Sequence, residues 1–129
     1  MQALDAVLER MTLDFVGNGR HKMTIEKLLS AEEPVLLDVR TLPETETVTL
    51  AFRHQLTSLV ISLHELPQRW REVPQTATVG IFCPHSVRAA IAYTYLRAQG
   101  VESVFVLDGG YAAVCEWARP GAVLPFLKG

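Results

Sequence analysis

Thr78-Val79-Gly80-Ile81-Phe82-Cys83-Pro84-His85-Ser86-Val87-Arg88 decides the fold of this chain. Thr78–Phe82 is short, uncharged and apolar, the pattern of a strand buried on both faces of a parallel sheet. A helical pattern runs from about Ser86 to Gln99, with apolar positions at Ala89, Ala90, Tyr93, Leu96 and Ala98. Gly100 supplies its stop. Between strand and helix sits a thiol, Cys83.

Reading outward, strands and helices alternate. Ala3, Leu4, Val7, Leu8 and Met11 form one helical stripe, and Gly17–Arg20 breaks the chain. Thr24 caps a second helical pattern with Ile25, Leu28 and Leu29; Lys27 stands where a capping box would have Glu. Val35–Val39 reads as a buried strand and Thr41–Thr49, with Pro43, as a loop or irregular arm whose Glu44 and Glu46 face solvent. Leu59–Ser62 is a strand candidate, and His64–Glu72 a helix interrupted early by Pro67. Ser103–Leu107 is the last strand, Asp108-Gly109-Gly110 a tight turn, and Tyr111–Ala118 a helix. Strands separated by helices imply right-handed crossovers and a mainly parallel α/β sheet flanked by helices. In open sheets of this kind ligands sit beyond the carboxyl ends of the strands. Cys83, Asp38 and Asp108 lie at such ends.

The chain has 129 residues, 49% apolar and 20% charged, with net charge −2. That is one globular domain, without the Lys/Arg surplus of a nucleic-acid binder. No apolar run approaches the ~18–20 residues of a membrane span, and Asp5, Glu9 and Arg10 interrupt any leader-like start. Two cysteines do not make a disulfide framework, so a reducing cytoplasm is expected. Cys83-x-His85 lacks the second pair that a structural zinc site requires, and no metal is expected. Gly17–Arg20 lacks the Lys-Ser/Thr of a phosphate loop, and no Gly-x-Ser-x-Gly elbow exists.

The order strand, Cys83, four residues, Arg88, helix has a direct chemical reading. First-turn amides of a helix have no intrahelical partner and point at an anion, and the helix dipole adds positive potential. With Arg88 they favour thiolate over thiol, which makes Cys83 a nucleophile. The alternative is a small buried hydrophobe. The reading requires a sulfhydryl reachable from water. His85 is either a charge beside the thiolate or a solvent-facing loop residue. Cys115, in register with Tyr111, Val114 and Ala118, is expected to pack in the core, and Trp70 and Trp117 to pack or rim a pocket.

Leu36-Leu37-Asp38-Val39-Arg40, the Cys83–Arg88 loop, the alanine-rich helix after it and Val104–Gly110, in that order, resemble a single rhodanese (sulfurtransferase) domain. The family writes these segments roughly as LIDVR, C-x4-R-S and L-x-GG. The resemblance runs from about Met23 to Trp117; residues 1–22 read as an N-terminal helical extension, covering a sheet edge or contacting another copy, and 23–129 as the domain. It implies a rhodanese-like three-layer sandwich and a sulfurtransferase that needs no cofactor. Cys83 would accept sulfur from thiosulfate or a persulfide and pass it to a thiol, cyanide or protein acceptor. The amides of His85, Ser86, Val87 and Arg88 would hold the donor anion, and Arg88 would close the loop. Asp38 and Arg40 would support it. Four residues between Cys83 and Arg88 suit sulfur; related phosphatases use a loop one residue longer. The alternatives are a sulfur-carrier or protein-binding module without turnover, and an arsenate reductase or phosphatase of the same fold. Three features depart from the family pattern: Pro84 lacks an N–H, Ser86 replaces a common Gly, and Arg53–Ser58 keeps the His of G-H-I-x-G-A but neither Gly.

Overall fold

The computed structural model describes residues 2–50, 52, 55–119, 121 and 125. Arg53 and His54, the positions of the family's Gly-His pair, lie outside the described residues. Five parallel strands form the sheet: β1 (Lys22–Met23), β2 (Pro34–Asp38), β3 (Thr57–Val60), β4 (Thr78–Phe82) and β5 (Val104–Leu107), in the order β1-β5-β4-β2-β3. The helices are α1 (Gln2–Glu9), α2 (Leu13–Gly17), α3 (Ile25–Leu29), α4 (Leu42–Thr47), α5 (Leu66–Arg69), α6 (Val87–Ala98) and α7 (Gly110–Trp117).

Alternation along the strands builds two cores. Val35, Leu37, Val79, Ile81 and Cys83 pack with Leu66 of α5 and Ala89, Ala92 and Leu96 of α6. Leu36, Phe82 and Leu107 pack with Ile25 and Leu28 of α3 and Val114 and Trp117 of α7. The three layers are those expected for the rhodanese-like fold, with a sheet that is parallel throughout. Both faces of the central strands are covered, which is why β2 and β4 read as unbroken apolar runs.

Among the described residues of the 1–22 extension lie two helices, α1 and α2. α1 packs along α6, burying Val7 beside Arg97 and Ala98, and Lys22 begins the edge strand that pairs with Val106. Thr24 accepts the Lys27 amide at 3.2 Å, a cap that works without the Glu of a capping box.

Three expectations change here. Thr41–Thr49 is not a loop: α4 starts after Thr41, whose amide and hydroxyl donate to the Glu44 carboxylate at 3.0 and 2.8 Å. Pro43 sits in the first turn, where its missing N–H costs nothing. The strand expected at Leu59–Ser62 begins at Thr57 and ends at Val60. His64–Glu72 is broken into 3-10 turns around the four residues of α5.

Candidate active site

The site gathers at the carboxyl ends of β2 and β4. Cys83 follows β4 directly and its side chain falls on the α6 face. Its Sγ accepts the Ala89 amide at 3.2 Å. Counting from Ser86 as N-cap, Ala89 is the third residue of α6, so this is one of the unpartnered first-turn donors. Among the described residues, the amides of His85, Ser86, Val87 and Arg88 donate to no protein acceptor. The donor that reaches the sulfur is Ala89, one residue beyond those expected.

Ser86 has φ 67° and ψ −6°, the one non-glycine residue with positive φ among the described residues. Ser bears the cost of that left-handed turn, about 1 kcal/mol, with no side-chain cap bond in return. Gly109 and Gly110 close the loop from the other side. Both have positive φ, and a Cβ on Gly110 would overlap the Pro84 carbonyl. The Tyr111 amide donates to that same carbonyl at 3.2 Å.

Asp38 and Arg40 form a buried pair at the end of β2. Arg40 Nε donates to Asp38 Oδ1 at 2.9 Å and an Nη to Oδ2 at 2.6 Å; the Arg40 amide also reaches Oδ1 at 3.1 Å. The other Nη donates to the Tyr111 hydroxyl at 2.6 Å. The guanidinium lies over the rings of Phe82 and Tyr111 at 5.3 and 5.5 Å. The Asp38 bonds, and then that of Tyr111, raise the Arg40 pKa against the opposing effect of burial. The pair lies on the α7 face, opposite Cys83, and reaches the loop through Tyr111 and its bond to Pro84.

Arg88 does not point at an open anion site. Its two Nη atoms donate to the two carboxylate oxygens of Glu44 at 2.7 and 2.8 Å, a bidentate pair with both side chains 33% exposed. Arg88 first, and then the Thr41 amide and hydroxyl, hold the Glu44 carboxyl far below the usual carboxylate range. Glu44 is thus no solvated loop acid: it locks the far end of the cysteine loop to α4. The signal was available in Thr41-Leu42-Pro43-Glu44, a capping-box spacing with Pro in the first turn.

Cys83 is 2% exposed, so the sulfur is not open to water as expected. The Ala89 bond draws it beneath the loop, whose residues His85 and Val87 are exposed. Cys115, expected in the core, is exposed, because α7 buries Gly110, Val114 and Trp117 and residue 115 falls a third of a turn off that stripe. Trp117 packs on Phe52 at 5.4 Å, and Arg71 covers Trp70 at 4.7 Å. The cleft of about 660 Å³ lined by Arg20, Lys22, Lys27, Thr78 and Ser103 lies at the opposite end of the strands from Cys83. Among the described residues, no helix is long and apolar enough to cross a membrane.

A parallel sheet whose strand β4 runs into a cysteine loop and then a helix amino end defines an α/β domain with a cysteine at the head of that loop. The rhodanese-like domain family matches residues 23–116, and the chain belongs to that family. It is 32% identical over 96 residues to a sulfurtransferase of Allochromatium vinosum, covering 74% of this chain and 82% of that one. Among solved structures it is similar to a rhodanese-like domain protein from Staphylococcus aureus, with TM-score 0.60 and 26% identity, covering 78% of this chain and 93% of the other. A rhodanese-related protein from Thermoplasma volcanium shares the fold at TM-score 0.63 and 23% identity, covering 78% and 95%.

Proposed function

We propose that the chain is a sulfurtransferase that carries a sulfane sulfur on Cys83, taken from thiosulfate or a persulfide and given to a thiol, cyanide or a protein acceptor. The observation that carries this reading is the Cys83 Sγ held by the Ala89 amide, beneath amides that have no protein acceptor. Cys83 attacks the outer donor sulfur, the donor S–S bond breaks, and its electron pair leaves on sulfite or on a thiolate. The anionic outer sulfur of the resulting persulfide lies about 2 Å beyond Sγ, within the cradle of amides from His85 to Arg88. Asp38 and Arg40 hold the loop through Tyr111. Because Cys83 is buried, the donor enters by displacing loop residues His85 and Val87. The chemistry belongs in a reducing compartment such as the cytoplasm.

The test is mass spectrometry of the intact chain after exposure to thiosulfate or a persulfide. Cys83 should gain the mass of one sulfur atom and release it to cyanide; Cys83→Ser should gain nothing. Failure to label Cys83 with either donor removes the reading. Labelling without turnover would leave a carrier module. Aryl phosphate hydrolysis or arsenate reduction abolished by Cys83→Ser would point to the phosphate-type chemistry of the same fold.

A further inference from the structure

We infer that Glu44 sets the donor class of this site, steering it to the protonated persulfide of a carbon-bearing thiol and away from thiosulfate. The inference rests on the sulfurtransferase reading above. Two cationic and two anionic side chains surround the loop, Arg88 with Glu44 and Arg40 with Asp38, and each pair is closed by bidentate or multiple bonds. Their charges cancel. Thiosulfate is a dianion that must meet the Cys83 thiolate, itself buried at 2% exposure. Bringing three negative charges together out of water is costly without a cation free to meet them, and Glu44 engages Arg88, the guanidinium of the loop. A protonated persulfide is neutral at its reacting end and requires none.

The balance of the transfer follows. Cys83–S⁻ attacks the terminal sulfur of R–S–SH, a new S–S bond forms and the old one breaks. The electron pair leaves on R–S⁻. The proton of the new Cys83–S–SH passes to that thiolate, giving R–SH and Cys83–S–S⁻. No outside oxidant or reductant enters. The anion that remains is a single charge on the outer sulfur, which first-turn amides can hold.

A second observation concerns R. Beside the Glu44–Arg88 pair, Pro43, Glu44, Thr47, Val48 and Tyr111 line a cleft of about 290 Å³. Leu42 and Val87, sequence neighbours of that cleft and of Arg88, are 61% and 66% exposed. Thiosulfate has no carbon to place against this apolar rim, whereas the organic part of a persulfide does.

The experiment measures Cys83 persulfide formation on the full chain with two probes, thiosulfate and N-acetylcysteamine persulfide. The expected kcat/KM is about 100-fold higher for the persulfide in the unmodified chain, a difference on the scale of one uncompensated charge near the surface. Glu44→Gln frees Arg88 and raises the ratio of kcat/KM for thiosulfate to that for the persulfide about tenfold, through the KM for thiosulfate. Glu44→Asp, one methylene short, shifts thiosulfate use in the same direction by less. Equal use of both donors by the unmodified chain overturns the inference without any variant, so a Glu44→Gln chain that fails to fold does not protect it. Equal shifts for both donors in Glu44→Gln overturn it as well. Persulfide on Cys83 from both donors would then leave the sulfurtransferase reading standing, whereas no label from either donor removes both.

Discussion

Gly110 rests against the carbonyl of Pro84 so closely that no side-chain carbon fits between them. The contact joins the start of α7 to the residue after Cys83, and the Tyr111 amide fixes it with a hydrogen bond of 3.2 Å. Gly110→Ala meets both the left-handed φ of 54° and this overlap. The expected loss is about 2–4 kcal/mol, from about 1 of backbone strain and about 1–3 of overpacking. Denaturant unfolding reads the loss, and persulfide formation on Cys83 should fall with it because the loop is pushed away from α7.

Arg40 is fully buried and its charge is matched by Asp38. Arg40→Met leaves Asp38 in the interior without its partner, at a cost of about 3–5 kcal/mol. Asp38→Leu together with Arg40→Met removes both charges and should recover a substantial part of the loss. A double variant no more stable than Arg40→Met, by thermal unfolding, would show that the pair is not what the single change breaks.

Ser86→Gly should stabilise the chain by about 0.5 kcal/mol. Glycine relieves the positive φ of Ser86, worth about 1 kcal/mol, and gives back part of that in a more mobile unfolded state. The Ser86 hydroxyl makes no cap bond, so no side-chain contact is lost. A lower denaturant midpoint would contradict this account of the turn.

The Glu44–Arg88 pair carries a pH signature. Glu44 titrates far below its ordinary value of 4.5 because Arg88 and Thr41 hold the ionised form. Its contribution is therefore fully present above 4.5 and is lost as pH falls below that value toward the depressed one. The stability gap between the unmodified chain and Glu44→Gln should be constant from pH 7 to about 5 and shrink on further acidification. A gap that is flat through acid unfolding would mean the carboxylate gains nothing from its partners.

The two thiols should separate by exposure. Cys115 is exposed and Cys83 buried. Brief treatment with a bulky alkylating reagent should label Cys115 in the native chain and Cys83 only after unfolding, as peptide mass analysis will read. Equal native labelling would place the Cys83 sulfur at the surface.

What the sequence revealed follows from how local each feature is. β2, β4 and α6 announce themselves by hydrophobic pattern, and Ser86's strain is implied by a single residue type at a strand-to-helix turn. Thr41–Thr49 misleads because Pro43 and two glutamates suggest a loop, although Thr41 and Glu44 carry a helix start; the polar face of a short surface helix has no apolar stripe to betray it. The Glu44–Arg88 and Arg40–Tyr111 bonds join residues 44 and 71 positions apart, and no local pattern encodes such a meeting. The helical pattern with Tyr111, Val114 and Ala118 and the usual burial of a free cysteine point Cys115 inward, where the one-residue offset from Val114 decides the matter.

α6 is gripped at both extremities: its first turn holds the sulfur through Ala89, and its last lies against α1 through Arg97 and Ala98. A rod seated this way does not act as a piston. Between Cys83 and that rod stand Pro84, His85, Ser86 and Val87, with the left-handed elbow at Ser86. The amino-terminal helix thereby braces the same rod whose other end meets the sulfur.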